Sequence, residues 1–164
     1  PTLIKKSSYV GTIDGVLNAV ILYGKPIGQN IIQGEGAGPA ATTSALVSDI
    51  ASILRGNVKF PFSISSNERK KLIYRSIEDR FFSAYLRFDV LDKSGVLSNI
   101  TNIFSKYKVS IKRLIQTPNK NKGSSSIIII THKSKDKFLN KILKKINKKN
   151  YVFKKPKLIR IDDN

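Results

Sequence analysis

The sequence contains no cysteine, no methionine and no tryptophan, and its single histidine is His132. Without cysteine there is no disulfide and no thiolate metal site. One histidine excludes a histidine-rich metal centre, and a Ser-His triad would have to run through His132 alone. No stretch approaches the ~20 apolar residues that span a bilayer, and no signal-peptide pattern opens the chain. The expectation is therefore a soluble cytoplasmic protein with no membrane partner and no metal. A chain that lacks methionine and begins at Pro1 is also expected to be a piece of something longer.

Acidic residues are scarce as well, 11 against 30 lysines and arginines, for a net charge of +19. The imbalance is uneven. Residues 1–57 hold four basic and three acidic residues, and the remainder holds 26 and 8. Lysine often stands beside isoleucine and asparagine, as in "KFLNKILKKINKKN". An AT-rich coding sequence produces that mixture, so the charge is first read as a solvated face. The competing reading is a basic module for nucleic acid or anionic surfaces. Hydrophobic residues make up 40% of the 164, enough for a core and for one or two small domains.

Periodicity divides the chain into residues 1–57, a linker at 58–83, and residues 84–164. In the first region two apolar runs, Val16–Tyr23 and Ile27–Gln33, flank "GKP" and predict a β-hairpin. After it, "TTSALVSDIASILRG" spaces Leu46, Val47, Ile50, Ile53 and Leu54 as a helix, with Thr42 or Thr43 as cap and Gly56 just past its end. From Ala84 the order is strand, helix, strand, strand, helix, strand. "SGVLSNITNIFSKYK" puts Val96, Leu97, Ile100, Ile103, Phe104 and Tyr107 on one face. "SSIIIITH" reads as a strand from the sheet centre. "SKDKFLNKILKKINKKN" puts Phe138, Leu139, Ile142, Leu143 and Ile146 on one stripe, with Ser134 as cap and Lys137, Lys141, Lys144 and Lys148 outside. The expected class is α+β: a hairpin and helix, then a ferredoxin-like βαββαβ domain. An RNA-recognition sheet needs exposed aromatics on its third strand, for bases to stack on. "SSSIIIITH" has none, and Tyr85 and Phe88 on the first strand do not replace them, so no nucleic-acid partner is expected.

Two loops are candidate sites. "GEGAG" places Gly34, Gly36 and Gly38 within five positions, immediately before a helix. Glycine admits a close ligand and a positive φ, and the amides of Ala41 to Ser44 at a helix start can face an anion or a cofactor. The alternative is a tight turn between strand and helix. The dinucleotide fingerprint G-x-G-x-x-G is not met, because Pro39 breaks the spacing and no acidic strand end follows at about 20 residues. The second loop is "DKSGVLSNI", where Gly95 permits a sharp turn and nearby amides can hold a carboxylate; capping by Ser94 is the alternative. His132, Asp49, Asp162, Asp163, Lys5 and Lys6 are assigned no chemistry.

Residues 1 to about 56 resemble the end of the catalytic region of homoserine dehydrogenase. "PTLIKK", "GVLNAV", "GEGAG" and "TTSALVSDI" occur in the family's order. "YLRFDVLDKSGVLSNITNIFSKYKVSIKRLIQ" resembles the opening of the ACT domain, a small-molecule-sensing module. The resemblance implies NAD- or NADP-dependent interconversion of aspartate semialdehyde and homoserine, on the route to threonine, methionine and isoleucine. It implies that the catalytic lysine, the substrate carboxylates and the nucleotide-binding fold lie upstream, so no catalytic residue is expected in this chain. Gly38, Thr42 and Gly36 carry over as cofactor neighbours, although this chain has Ala41 where the family usually has proline. The resemblance also implies that the helix over Thr43–Leu54 is without its packing partner here. For the ACT domain it implies side-by-side pairing into a homo-oligomer, and an amino-acid effector, threonine first, beside Asp92, Ser94, Gly95, Val96 and Leu97.

Overall fold

The computed structural model describes residues 1–56, 65, 67–71, 73–74, 76–119 and 123–162. Part of the expected linker, residues 120–122, and the terminal Asp163 and Asn164 lie outside the described residues. Contacts group the chain into two units, Lys6–Ile73 and Pro1–Lys5 with Tyr74–Asn164.

The chain opens with β1 (Thr2–Leu3) and a 3-10 turn at Val10–Thr12. Strands β2 (Leu17–Gly24) and β3 (Gly28–Glu35) form the expected hairpin, in register from Leu17↔Glu35 to Gly24↔Gly28. Helix α1 runs Pro39–Leu54, four residues earlier than the sequence suggested. Proline explains the early start, since at N1 it has no N–H to leave unpaired and its φ is already helical. Gly38 is the N-cap and neither threonine caps the helix. Gly56, with φ +68°, does follow its end. No described residue of the Lys6–Ile73 unit, α1 included, is buried. Leu46, Val47, Ile50 and Ile53 are 55–64% exposed. The apolar stripe anticipated for this helix is present and uncovered.

The second unit carries β4 (Phe81–Leu91), α2 (Val96–Lys106), β5 (Ile111–Pro118), β6 (Ser124–Thr131), β7 (Ser134–Lys135), α3 (Asp136–Asn147) and β8 (Lys157–Ile161). The sheet order is β1-β8-β4-β6-β5, with β7 pairing the start of β4. β4, α2, β5, β6, α3 and β8 complete the βαββαβ pattern. β6 lies between β4 and β5, as its isoleucine run implied. Strand β4 begins at Phe81, inside the expected linker, after a 3-10 turn (Ile77–Asp79) whose start is capped by Ser76 Oγ accepting the Glu78 N–H at 3.2 Å.

Period-two alternation on β4 turns Ala84, Leu86, Phe88 and Val90 inward, all at 0% exposure. They meet Val96, Ile100, Ile103 and Phe104 of α2, Leu139, Ile142 and Ile146 of α3, and Ile127 and Ile129 of β6. Phe88 and Phe104 pack edge-on with centroids 6.4 Å apart. Ser134 does not cap α3: it sits in β7 opposite Phe82, and the N-cap is Lys135, without a side-chain bond. Asp136 holds the helix start instead. Its buried carboxylate accepts from Arg160 Nε at 2.8 Å, Arg160 Nη2 at 3.0 Å and Asn140 Nδ2 at 2.8 Å. This hydrogen bonding raises the Arg160 pKa further and ties β8 to α3. The Arg160 guanidinium also lies over the Phe82 ring at 5.6 Å.

The Tyr151 hydroxyl is buried without a hydrogen-bond partner, and burial raises its pKa above the ordinary 10.0. A raised folded-state pKa contributes stability that is whole below pH 10 and is lost as pH climbs through the folded value. Tyr151→Phe is expected to flatten this alkaline loss in urea unfolding. At pH 7 it is expected to leave stability unchanged or to raise it by up to ~1 kcal/mol, because an unpaired buried hydroxyl is removed. A loss above ~1 kcal/mol at pH 7 would show that the hydroxyl is bonded after all.

Candidate functional site

The first candidate is the turn from β3 into α1. Gly36 continues the hairpin, its N–H donating to Val16 O at 3.1 Å. A Cβ added to Gly36 would fall on the Asn18 side-chain amide, so the missing side chain lets β2 and the loop approach. Gly38 has φ +122° and ψ +151°, a backbone region essentially confined to glycine, and nothing lies within 4 Å of the position its Cβ would take. Its carbonyl accepts the Thr42 N–H at 3.1 Å and the Thr42 hydroxyl at 2.9 Å. Thr42 therefore has its proton engaged and offers only lone pairs outward. Its amide is engaged too, and Pro39 has no N–H, so the amides of the first turn left without an intrahelical acceptor are those of Ala40 and Ala41, earlier than the stretch Ala41 to Ser44 read from the sequence. Gly36, Gly38 and Thr42 are all exposed. Sequence reasoning missed Asn18; the only signal for it was its place in "GVLNAV".

The second candidate joins β4 to α2. Gly95, with φ +83°, is the N-cap of α2, and no side chain caps the helix, so the Ser94 cap is not formed. The Gly95 carbonyl accepts the Asn99 N–H at 2.9 Å. Asp92 Oδ1 accepts from Gln116 Nε2 at 3.2 Å, and that amide also contacts Ser125 Oγ at 3.3 Å. The Asp92 N–H donates to Gly123 O at 2.9 Å. One carboxylate thus ties the α2 entrance to β5 and β6. Asp92, Ser94 and Gly95 are exposed and Leu97 is half-buried. The Val96 side chain is in the core, and its amide donates to Lys93 O at 3.3 Å. Gln116 was not anticipated, because its meeting with Asp92 spans 24 residues of sequence.

The structure brings no further candidates into these sites. Asp49 and His132 are exposed, and the His132 N–H donates to Ser110 O. Asp162 is exposed, and its N–H donates to Leu3 O at 2.9 Å. Among the described residues no group of three or more His, Asp or Glu is placed to hold a metal, and no helix is long and apolar enough to cross a membrane.

Comparison with known proteins bears out both resemblances. Residues 1–51 match the family model described as homoserine dehydrogenase, and residues 86–154 match that described as an AHAS small subunit-like ACT domain. The homoserine dehydrogenase of Helicobacter pylori is 29% identical over 99% of this chain, and that of Synechocystis is 30% identical over 98%. Among solved structures, the homoserine dehydrogenase from Thiobacillus denitrificans superposes with a TM-score of 0.80 at 29% identity, covering 99% of this chain and 38% of that one. The chain spans 38% of the length of each of these relatives.

The Gly38 geometry makes a testable demand. Gly38→Ala is expected to cost ~1–3 kcal/mol locally, seen as faster hydrogen exchange of the Thr42 amide. Gly34→Ala, whose Cβ meets nothing within 4 Å and whose φ is ordinary, is expected to leave that amide unchanged. Equal exchange in both variants would contradict the assigned backbone conformation.

Proposed function

We propose, from the homoserine dehydrogenase pattern in residues 1–51 and the ACT pattern in residues 86–154, that this chain carries the last catalytic elements and the regulatory domain of a homoserine dehydrogenase. The reaction is the interconversion of L-aspartate 4-semialdehyde and L-homoserine, in the biosynthesis of threonine, methionine and isoleucine. NADP or NAD supplies or takes the hydride. The compartment is the cytoplasm.

The observation that carries this reading is the bare backbone at Gly38: a glycine-only conformation, open space where a Cβ would stand, and an exposed helix start behind it. Such a surface admits the flat edge of a ring to van der Waals distance. Gly36 and Gly38 supply that approach. Thr42, whose hydroxyl proton is held by Gly38 O, presents lone pairs suited to an amide N–H of the nicotinamide. The family resemblance puts the catalytic lysine and the substrate carboxylates outside this chain. Catalysis is accordingly assigned to groups outside this chain, and residues 1–57 serve to position and enclose.

In the ACT domain the effector is an α-amino acid, with threonine as first candidate. The Asp92 carboxylate suits its ammonium group, amides near Ser94 and Gly95 suit its carboxylate, and Leu97 offers an apolar edge. A second copy would complete the pocket, giving a dimer or tetramer.

The 164-residue chain alone is expected to oxidise homoserine with NADP no faster than the blank; turnover would contradict the assignment of chemistry elsewhere. By calorimetry it should bind threonine in preference to methionine and isoleucine, with Asp92→Asn weakening binding by about tenfold or more. Silence from all three would remove the sensing role and leave a dimerisation device. Binding of DNA or RNA that persists between ~50 and ~200 mM salt would favour the basic-module reading.

A further inference from the structure

A hollow of about 380 Å³ opens at the end of the sheet opposite the Asp92–Gly95 turn, within the Tyr74–Asn164 unit. Two irregularities in the ladders create it. The β4–β6 register ends at Tyr85↔Ile130, and β4 then pairs with β7 only at Phe81 and Phe82. Between these, the Ala84 N–H donates to Thr131 Oγ1 at 3.1 Å in place of a backbone carbonyl. On the other side of β6, a bulge in β5 shifts the register between Ile111↔Thr131 and Arg113↔Ile130.

The bulge has a chemical consequence. Adjacent residues of a regular strand point to opposite faces, and a bulge re-aims one of them. Lys112 and Arg113 consequently both line the hollow. Its floor is Ser83 and Thr131, and its walls are Ile130 and Ile161. Both cations are exposed, and neither has an acidic partner among the described residues. Two cations at one rim over two aliphatic walls match a ligand with a carboxylate at one end and a short branched tail at the other. Arg113 suits the carboxylate through its paired N–H groups, and Lys112 adds a point charge. The volume lies in the lower range of small-molecule sites, ~300–1,000 Å³.

We propose that this hollow is a second small-molecule site of the regulatory domain, taking a short aliphatic carboxylate of the 2-oxo acid or amino acid class. It is distinct from the effector position at Asp92–Leu97 and rests on the fold of the Tyr74–Asn164 unit, not on the dehydrogenase assignment.

The test is titration of the full chain, with ¹³C-methyl-labelled isoleucine, by 3-methyl-2-oxobutanoate, L-valine and the neutral control 2-methylpropanamide. The Ile130 and Ile161 methyls should shift saturably with at least one of the two acids, with a dissociation constant of ~1 mM or tighter, and not with the amide. Lys112→Gln/Arg113→Gln should weaken binding by about tenfold or more. Unchanged Ile127 and Ile129 methyls would report an intact core, and the single Arg113→Gln variant serves if the double variant disturbs them. The proposal is overturned by no saturable shift at Ile130 and Ile161, by equal binding of the variants, or by an equal response to 2-methylpropanamide.

Discussion

All fifteen buried apolar side chains of the described residues fall between Ala84 and Tyr151, under a single sheet. Removing such side chains from water is the main favourable term in folding, at ~1.5–3 kcal/mol for each large one. The Tyr74–Asn164 unit has that term. The described residues of the Lys6–Ile73 unit do not: its strands and helix have the backbone geometry of a finished structure, while Val20, Leu22, Ile32, Leu46, Val47, Ile50 and Ile53 stay exposed. A lone two-stranded hairpin is marginal in water, and an isolated 16-residue helix is little better. The apolar stripe of α1 and the glycine turn before it therefore make physical sense as surfaces that another body covers.

The two candidate sites share one device. Each sits where a strand gives way to a helix, and each is turned by a glycine at positive φ, Gly38 before α1 and Gly95 before α2. In both, no side chain caps the helix, which leaves the backbone at its start open. The sites differ in how they are fixed. Around Gly95 the Asp92–Gln116–Ser125 contacts lock the turn to two neighbouring strands. Around Gly36 and Gly38 the fixing is local, through Asn18 and Thr42. The entrance to α2 is thus pre-formed, and the entrance to α1 is shaped but unsupported.

What could be read from the residues was what depends on local period. The hairpin, the stripes of α2 and α3, the central position of β6 and the βαββαβ order all follow from spacing that a single segment carries. What could not be read depends on partners far along the chain. Strand β1 is two residues that become a strand only by lying parallel to β8, with Thr2 opposite Arg160. Asp136 meets Arg160 across 24 residues, and that bond took the role assigned to Ser134. The bulge at Ile111–Arg113 leaves no mark in "VSIKRLIQ". The early start of α1 is legible in principle, since Pro39 favours the first helical turn.

The most direct test of the central claim, that the Lys6–Ile73 unit is built to be completed by another body, is residue-resolved hydrogen exchange of the full chain under native conditions. The amides of Leu86, Ile127 and Ile129 should be protected to the level of global unfolding. Those of Val20–Leu22 in the hairpin and of Val47–Ile53 in α1 should exchange by local opening, with protection lower by ~100-fold or more. Equal protection in the two units would mean that the hairpin and helix are stable without a cover, and would contradict the account.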